Sequence, residues 1–151
     1  MNEHHQLHGH SVSTLVGIAD RVIIDAVDRS LVAAGFSDLR RSHGTVFEML
    51  DPGGSRITDL ARRARMTKQG MGQLVADLEA LGYVERRPDP ADGRAKIVVL
   101  TAKGEAAVAV AVAGLDALEA RWTARLGGQR AEEFRAALAD ICLAFGQEHI
   151  R

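Results

Sequence analysis

Cysteine is nearly absent from this sequence, and long apolar runs are missing altogether. The 151 residues include one cysteine, Cys142, so no disulfide can form within the chain and a reducing compartment is expected. No segment reaches the roughly 18 uninterrupted apolar residues that a membrane span needs, and no signal peptide is visible. We therefore predict a cytoplasmic protein that has no membrane partner.

The usual sequence signatures of catalysis are lacking as well. The chain has no phosphate-cradling glycine loop, no nucleophile elbow and no His/Glu spacing of a metal hydrolase. The glycine-rich segment 51–55, DPGGS, is instead typical of a helix end followed by a turn. We therefore predict that the protein is not an enzyme and requires no cofactor.

A large excess of positive charge is also missing. The formal net charge is −1, which argues against a uniformly basic nucleic-acid binder. Residues 56–96, however, contain nine basic and six acidic residues, a local charge of +3, and the run Arg62–Lys68 contains four basic residues and no acid. The distribution of charge is therefore compatible with phosphate contacts, which would make binding salt-dependent.

Two short helices separated by a break are predicted between residues 57 and 82. Apolar residues recur at helical spacing over 57–64, which indicates a helix with one packed face. Thr67 is the expected N-cap of a second helix over 68–81, and Gly82 suits the left-handed conformation that ends such a helix. The apolar stripe of this second helix comprises Met71, Leu74, Val75, Leu78 and Leu81.

A β-hairpin is predicted to follow. Residues 83–87 and 96–101 are rich in β-branched and aromatic side chains that favour strands. Asp92-Gly93 is a strong turn signal, and Pro88 and Pro90 are expected to prevent further pairing of the strands. Arg94 would then lie at or just beyond the tip, which makes the hairpin a wing with a basic end.

In this order, the motifs resemble those of the MarR-type winged-helix transcription regulators. They are ITDLA at 57–61, LEALGYVER at 78–86, DGR at 92–94 and LT at 100–101, and the resemblance is densest from about Arg41 to Thr101. The resemblance implies that the second helix enters the major groove of DNA. It also implies that Arg94 reaches the adjacent minor groove and that Asp92 holds Arg94 in place.

The second helix departs from the family's commonest pattern, which has Ser or Thr and Arg where residues 69–73 read QGMGQ. Two glycines in a helix cost about 1 kcal/mol each relative to alanine, and close approach of the backbone to DNA is one explanation. Gln69 and Gln73 have the chemistry to pair with adenine, and Lys68 with guanine or a phosphate; the alternative is that all three are simply solvated. The predicted DNA contacts are Thr67, Lys68, Gln69, Gly70, Gly72, Gln73, Arg86, Asp92 and Arg94.

Apolar helices are expected on both sides of the winged unit. Residues 102–126 include valines in alternation, but their length and lack of turn residues favour one long helix, which Gly127-Gly128 separates from the last. We predict a mainly α fold with a small β-hairpin wing, in which a winged helix-turn-helix (about 38–101) lies between dimerisation helices (about 11–35 and 102–149). These form a single domain, 11–151, after a flexible His-rich tail, 1–10. The resemblance implies a homodimer on an inverted repeat of double-stranded DNA, with its reading helices about 34 Å apart.

The resemblance also implies control by a small molecule. Members of the family commonly bind small, often aromatic and anionic, effectors in a cleft between the dimerisation helices and the winged unit. The expected function is that of a repressor that such an effector releases from promoter DNA. The candidate contacts are Arg41, Ser42, His43 and Phe47, although Phe47 also suits the core and His43 also suits a helix surface.

The sequence leaves three other interpretations of its function open. The histidines at 4, 5, 8 and 10 have the chemistry of a metal sensor, although a flexible tail with adventitious metal affinity is favoured. Cys142 is a possible redox sensor, although its apolar stripe with Leu138, Ile141 and Phe145 favours packing in the core. A winged domain can also serve as a protein-interaction module, against which stand the acid-free run at 62–68 and Arg94.

Overall fold

The computed structural model describes residues 9–150, with side chains as far as residue 144. In this part of the chain there are six helices and one antiparallel hairpin, so the predicted mainly α fold with a β wing is confirmed. The elements are α1 (Val12–Ala33), α2 (Arg41–Met49), α3 (Ile57–Arg63), α4 (Lys68–Ala80), β1 (Val84–Asp89), β2 (Asp92–Leu100), α5 (Ala102–Leu126) and α6 (Gly128–Ile150). No helix in the described part is long and apolar enough to cross a bilayer.

The main core lies among α2, α3, α4 and the base of the hairpin. Of the predicted apolar stripe on α4, Met71, Val75 and Leu78 are fully buried. Leu74 and Leu81 are partly buried and pack against the same cluster. The opposite side of α4 is therefore left to solvent, as the helical spacing of the stripe predicts.

Helix α4 begins and ends at the residues that its capping signals predict. Thr67 Oγ1 accepts a hydrogen bond from the Gly70 amide at 3.1 Å. At the other end Gly82 has φ 79°, its amide donates to Glu79 O at 3.0 Å, and the Tyr83 amide donates to Leu78 O at 2.9 Å. These two bonds form a Schellman motif, which directs the chain out of α4 and into β1.

The hairpin is longer than predicted, and its turn lies elsewhere. Pro88 was expected to stop the pairing, but it is the partner of Lys96, and the last pair is Asp89 with Asp92. The expectation was wrong because β1 is an edge strand, where a residue without an amide hydrogen is tolerated. The chain therefore reverses at residues 90–91, and the Asp92-Gly93 turn signal falls inside an irregularity of β2.

A short bridge outside the hairpin joins it to the helical core. Ser55 donates its amide to Val98 O at 3.0 Å and accepts from the Val98 amide at 2.8 Å. Gly54, at φ 92°, allows the approach, because a Cβ there would lie 2.8 Å from Val98 O. The segment that was predicted to be only a turn therefore also fastens the wing to the start of α3.

Helix α5 is a single long helix despite its alternating valines, as predicted. It packs along α1, and the two helices are close at Gly114, where a Cβ would lie 2.6 Å from Ser30 Oγ. Helix α6 packs against α5. As a result, much of the apolar surface of α1 and α6 is exposed within the single chain.

The environment of Cys142 differs from the one predicted from the sequence. It was expected in the core, but it is exposed, and its neighbour Ile141 is half exposed. The reason is that, in the part of the chain that the structure describes, α6 packs mainly against α5, and Cys142 lies on a side of α6 that α5 does not cover. Phe145, the last residue of the predicted stripe, lies beyond the described side chains.

Candidate nucleic-acid interface

Several predicted DNA contacts lie together on the exposed side of α4. Lys68, Gln69 and Gln73 are exposed, at or near the N-terminal half of the helix. Lys68 makes no ion pair with any residue that the structure describes. This surface is therefore polar, free of acid until Asp77, and available to a ligand.

The two glycines of α4 have different surroundings. A Cβ at Gly70 would lie 3.2 Å from Thr67 Oγ1, so this glycine leaves room for the N-cap hydrogen bond. A Cβ at Gly72 would meet nothing within 4 Å. The described part of the chain thus gives a packing reason for Gly70 but none for Gly72.

Asp77 lies at the edge of the exposed surface, and nitrogen atoms of three side chains lie within 4 Å of its carboxylate. Its Oδ1 accepts a hydrogen bond from Gln73 Nε2 at 2.9 Å, and its Oδ2 accepts from the Arg40 guanidinium. His43 Nε2 lies 3.9 Å from Oδ2. The hydrogen bond from Gln73 is the main cause of a lowered pKa of Asp77, and the hydrogen bond from Arg40 lowers this pKa further. The carboxylate is therefore ionised at neutral pH. The sequence analysis assigned no DNA contact to Asp77 or Arg40.

His43 is not the surface residue that it was expected to be. It is fully buried between α2 and α4, and its Nδ1 accepts a hydrogen bond from the Arg40 amide at 3.1 Å. Burial, and next the charge of Arg40, hold the pKa of His43 below its usual 6.5. The imidazole is therefore neutral at pH 7, and its Nε2 lies 3.1 Å from Arg40 Nη2, closer than it lies to Asp77 Oδ2.

We predict that His43 makes stability fall in mild acid. A depressed folded-state pKa contributes stability that is present above the unfolded value of 6.5 and is lost as pH falls through the folded value. Urea midpoints of the wild type should therefore drop between pH 7.5 and 5.5, and His43→Gln should show a smaller drop. The carboxylates Asp38 and Asp77, which face the ring, titrate at lower pH. Equal drops in the two proteins would show that His43 is not the group responsible.

The wing is anchored by an arginine that precedes α3. Arg56 Nη2 lies 2.6 Å from Asp89 Oδ2 and 3.7 Å from Asp92 Oδ2. Asp89 is buried, and its Oδ1 accepts a hydrogen bond from the Ala91 amide at 2.8 Å, which closes the turn. Sequence reasoning missed Arg56 because its partners lie more than 30 residues away along the chain.

Asp92 contacts Arg94 through the backbone. Its Oδ1 accepts a hydrogen bond from the Arg94 amide at 3.2 Å, while its Oδ2 faces Arg56. The Arg94 side chain is exposed and makes no ion pair within the described part of the chain. Asp92 therefore shapes the backbone from which Arg94 projects and leaves the guanidinium unpaired.

Some basic side chains of the run 62–68 bind other parts of the protein, and others have no strong partner among the described residues. Arg63 donates to Met49 O at 2.8 Å and to Asp51 Oδ2 at 2.7 Å, so it ties α3 to the end of α2. Arg62 makes only a 3.4 Å contact with Asp59. Arg65 adopts φ 52° in the turn between α3 and α4 and has no ion pair with a described residue.

Arg86, a predicted DNA contact on β1, lies 3.5 Å from Glu79.

Of the candidate effector contacts, Arg41 and Ser42 are exposed, whereas Phe47 is partly buried and meets Tyr83 edge-on, with ring centroids 6.3 Å apart. Tyr83 is fully buried and donates its hydroxyl hydrogen to Asp38. Lys103 Nζ lies 4.0 Å from the Tyr83 ring centroid and 2.8 Å from Leu81 O. This cluster, which sequence reasoning missed, joins the α1–α2 loop, the end of α4 and the start of α5.

Of the predicted metal ligands, His4, His5 and His8 lie outside the described residues, and His10 is exposed. Among the residues that the structure describes, no three His, Cys, Asp or Glu side chains are grouped to hold a metal ion.

Helix α3, the turn at Arg65, the exposed helix α4 and the anchored hairpin define a winged helix-turn-helix. The family model described as MarR family matches residues 37–95. The MarR family protein Rv2887 of Mycobacterium tuberculosis, solved with salicylic acid, is 30% identical with TM-score 0.62, over 87% of this chain and 96% of that one. The chain belongs to the MarR family.

Two further proteins show how far the similarity extends. Transcriptional regulator HosA of Escherichia coli O111:H- is 36% identical over 84 residues, which are 56% of this chain. That match spans only 62% of the length of HosA. CouR from Rhodococcus jostii RHA1, solved with p-coumaroyl-CoA, is 25% identical with TM-score 0.66, over 89% of this chain and 92% of that one.

Proposed function

We propose that this protein is a sequence-specific DNA-binding transcriptional regulator. The observation on which the proposal rests is the exposed side of α4, with Lys68, Gln69 and Gln73 unburied, on the same unit as a wing whose Arg94 is unpaired. Amides of glutamine match the donor and acceptor of adenine in the major groove, and unpaired cations match phosphates or the minor groove. Relatives in the same family that are named transcriptional regulators and repressors support the proposal.

Selection of bound sequences from a random pool of duplex DNA at physiological salt tests this function. An enriched inverted repeat, with half-sites about one helical turn apart, is the expected result. Failure to enrich any sequence would contradict the proposal and would favour a protein-interaction role for the winged domain.

Arg94→Ala should weaken binding to all duplexes about equally. The wing arginine is assigned to the phosphates and the minor groove, so its loss should reduce affinity roughly tenfold and lower the salt slope by about 1. Titrations of the selected duplex at several salt concentrations measure both quantities. Arg121→Ala, which removes the same charge from an exposed position on α5, is the matched control and should bind as the wild type does. An unchanged salt slope in Arg94→Ala would remove Arg94 from the interface.

The regulator acts as a homodimer in this proposal. Large apolar side chains on α1 and α6 are exposed in the single chain, among them Val12, Val16, Phe134, Ile141 and Leu143. A second copy of the chain that packed on α1 and α6 would remove these side chains from water. Sedimentation should give a dimer at micromolar concentration, whereas a monomer would contradict this part of the proposal.

A small aromatic acid is the proposed effector, and the regulator is a cytoplasmic repressor that releases DNA when the acid binds. The support comes from the relative Rv2887, which was solved with salicylic acid and with p-aminosalicylic acid. The burial and hydrogen bonding of His43 leave Arg41 and Ser42 as the exposed members of the candidate set. Salicylate should raise the melting temperature and weaken binding to the selected duplex, and the absence of both effects for a panel of aromatic acids would argue against this effector class.

A further inference from the structure

Gln73 is the one predicted base-reading side chain that the described structure shows hydrogen-bonded to another side chain. Its Nε2 donates to Asp77 Oδ1 at 2.9 Å, one helical turn further along α4. A side-chain amide has two orientations that fit the same space, with the carbonyl and the amino group exchanged. An ionised carboxylate only accepts hydrogen bonds, so the Gln73 amino group must face Asp77.

Asp77 is itself held in place from the neighbouring helix. Arg40, which directly precedes α2, donates to Oδ2, and the same Arg40 Nη2 lies 3.1 Å from Nε2 of the buried His43. Oδ1 is thereby left for Gln73. The ion pair with Arg40 also offsets a negative charge that would otherwise stand uncompensated on a surface assigned to DNA.

This arrangement leaves Gln73 with one N–H and its carbonyl oxygen unused. Those are the donor and the acceptor that a bidentate contact to adenine N7 and N6 requires. If the amide rotated by half a turn, the donor and the acceptor would exchange places and the match to adenine would be lost. The orientation of the amide therefore determines which base Gln73 accepts.

We propose that Asp77 is a specificity-determining positioning residue: its carboxylate fixes the orientation of the Gln73 amide, and Arg40 holds the carboxylate. The inference rests on the proposed function, since it concerns the reading of bases by α4. A hydrogen bond that merely stabilised the helix would affect unfolding and leave base preference alone, so base preference is the decisive readout.

The test compares the wild type, Asp77→Asn, Gln73→Ala and the double variant on the selected duplex and on duplexes with one base pair changed at each half-site position. Gln73→Ala identifies the position that Gln73 reads, where the wild type should discriminate about tenfold. Asp77→Asn keeps the shape of the side chain but can present either an oxygen or an amino group to Gln73, so it no longer fixes the Gln73 amide. Discrimination at the base pair that Gln73 reads should therefore fall to about threefold or less. In the Gln73→Ala background, Asp77→Asn should then have no further effect on discrimination.

Two additional variants keep the result unambiguous. Asp77→Ala, which replaces this partly buried residue with the best helix former, should lose discrimination in the same way if the asparagine variant folds poorly. Asp59→Asn removes the same charge from α3, away from Gln73, and should discriminate as the wild type does. Full discrimination by Asp77→Asn and Asp77→Ala, or an equal loss at every position, would overturn the inference while leaving DNA binding intact. A wild type that prefers no sequence would overturn the proposed function and this inference with it.

Discussion

Replacement of Gly104 by alanine should destabilise the protein by about 3 kcal/mol, near the upper end of what overpacking of a core costs. Gly104 is buried at the N-terminus of α5, and a Cβ there would lie 2.1 Å from the carbonyl oxygen of Tyr83. This oxygen cannot move aside freely, since it accepts a hydrogen bond from the Thr101 amide at 3.0 Å. The added methyl group would therefore push α5 away from the end of α4 and the start of β1.

The measurement is urea unfolding of Gly104→Ala beside a matched glycine variant. Gly44→Ala lies in α2, where a Cβ would meet only Glu48 Oε1 at 4.0 Å. That substitution should stabilise the protein by up to about 1 kcal/mol, because alanine favours a helix more than glycine does. If Gly104→Ala matched Gly44→Ala, the close contact between α5 and Tyr83 would be contradicted.

Gly72→Ala should stabilise the free protein and weaken its binding to DNA. A Cβ at Gly72 meets nothing within 4 Å, so the helix should gain up to about 1 kcal/mol. On the proposed interface, the same methyl group would stand between the backbone of α4 and the DNA. A loss of about tenfold in affinity is expected if the backbone approaches the duplex at this point, since overpacking of a close interface costs about 1–3 kcal/mol.

Opposite signs for stability and affinity make this prediction specific. Gly44→Ala is again the control, because it should give a similar gain in stability with unchanged affinity for the selected duplex. Unchanged affinity in Gly72→Ala as well would mean that the backbone of α4 does not approach DNA at residue 72, and the glycine would then have no explanation in the described part of the chain.

Features encoded by residues close together in the sequence could be predicted from it. The N-cap at Thr67 depends on an amide three residues away, and the left-handed Gly82 depends on the helix that it ends. The length of α5 follows from an alanine-rich sequence without proline over 102–126. In each case the physical cause is local, so neighbouring residues suffice to reveal it.

Predictions failed where a distant partner decides the environment. The spacing of α2 does not show that His43 faces α4, because the partner that buries it is about 30 residues further along. Cys142 was placed in the core on the strength of its stripe, yet within the described residues α6 packs mainly against α5 and leaves Cys142 exposed. Pro88 was expected to end the ladder, but its edge position makes its missing amide hydrogen harmless.

The sequence by itself determined the order of elements, the capping of α4, the exposed polar side of that helix and the resemblance to the MarR family. Periodicity and turn chemistry act over a few residues, and that range is enough for these features. Only the tertiary structure decided that Arg56 anchors the wing, that Arg40 holds the carboxylate of Asp77, and that Gly104 must lack a side chain. Each of these depends on atoms brought together by folding from segments more than 20 residues apart, and no local pattern records such distances.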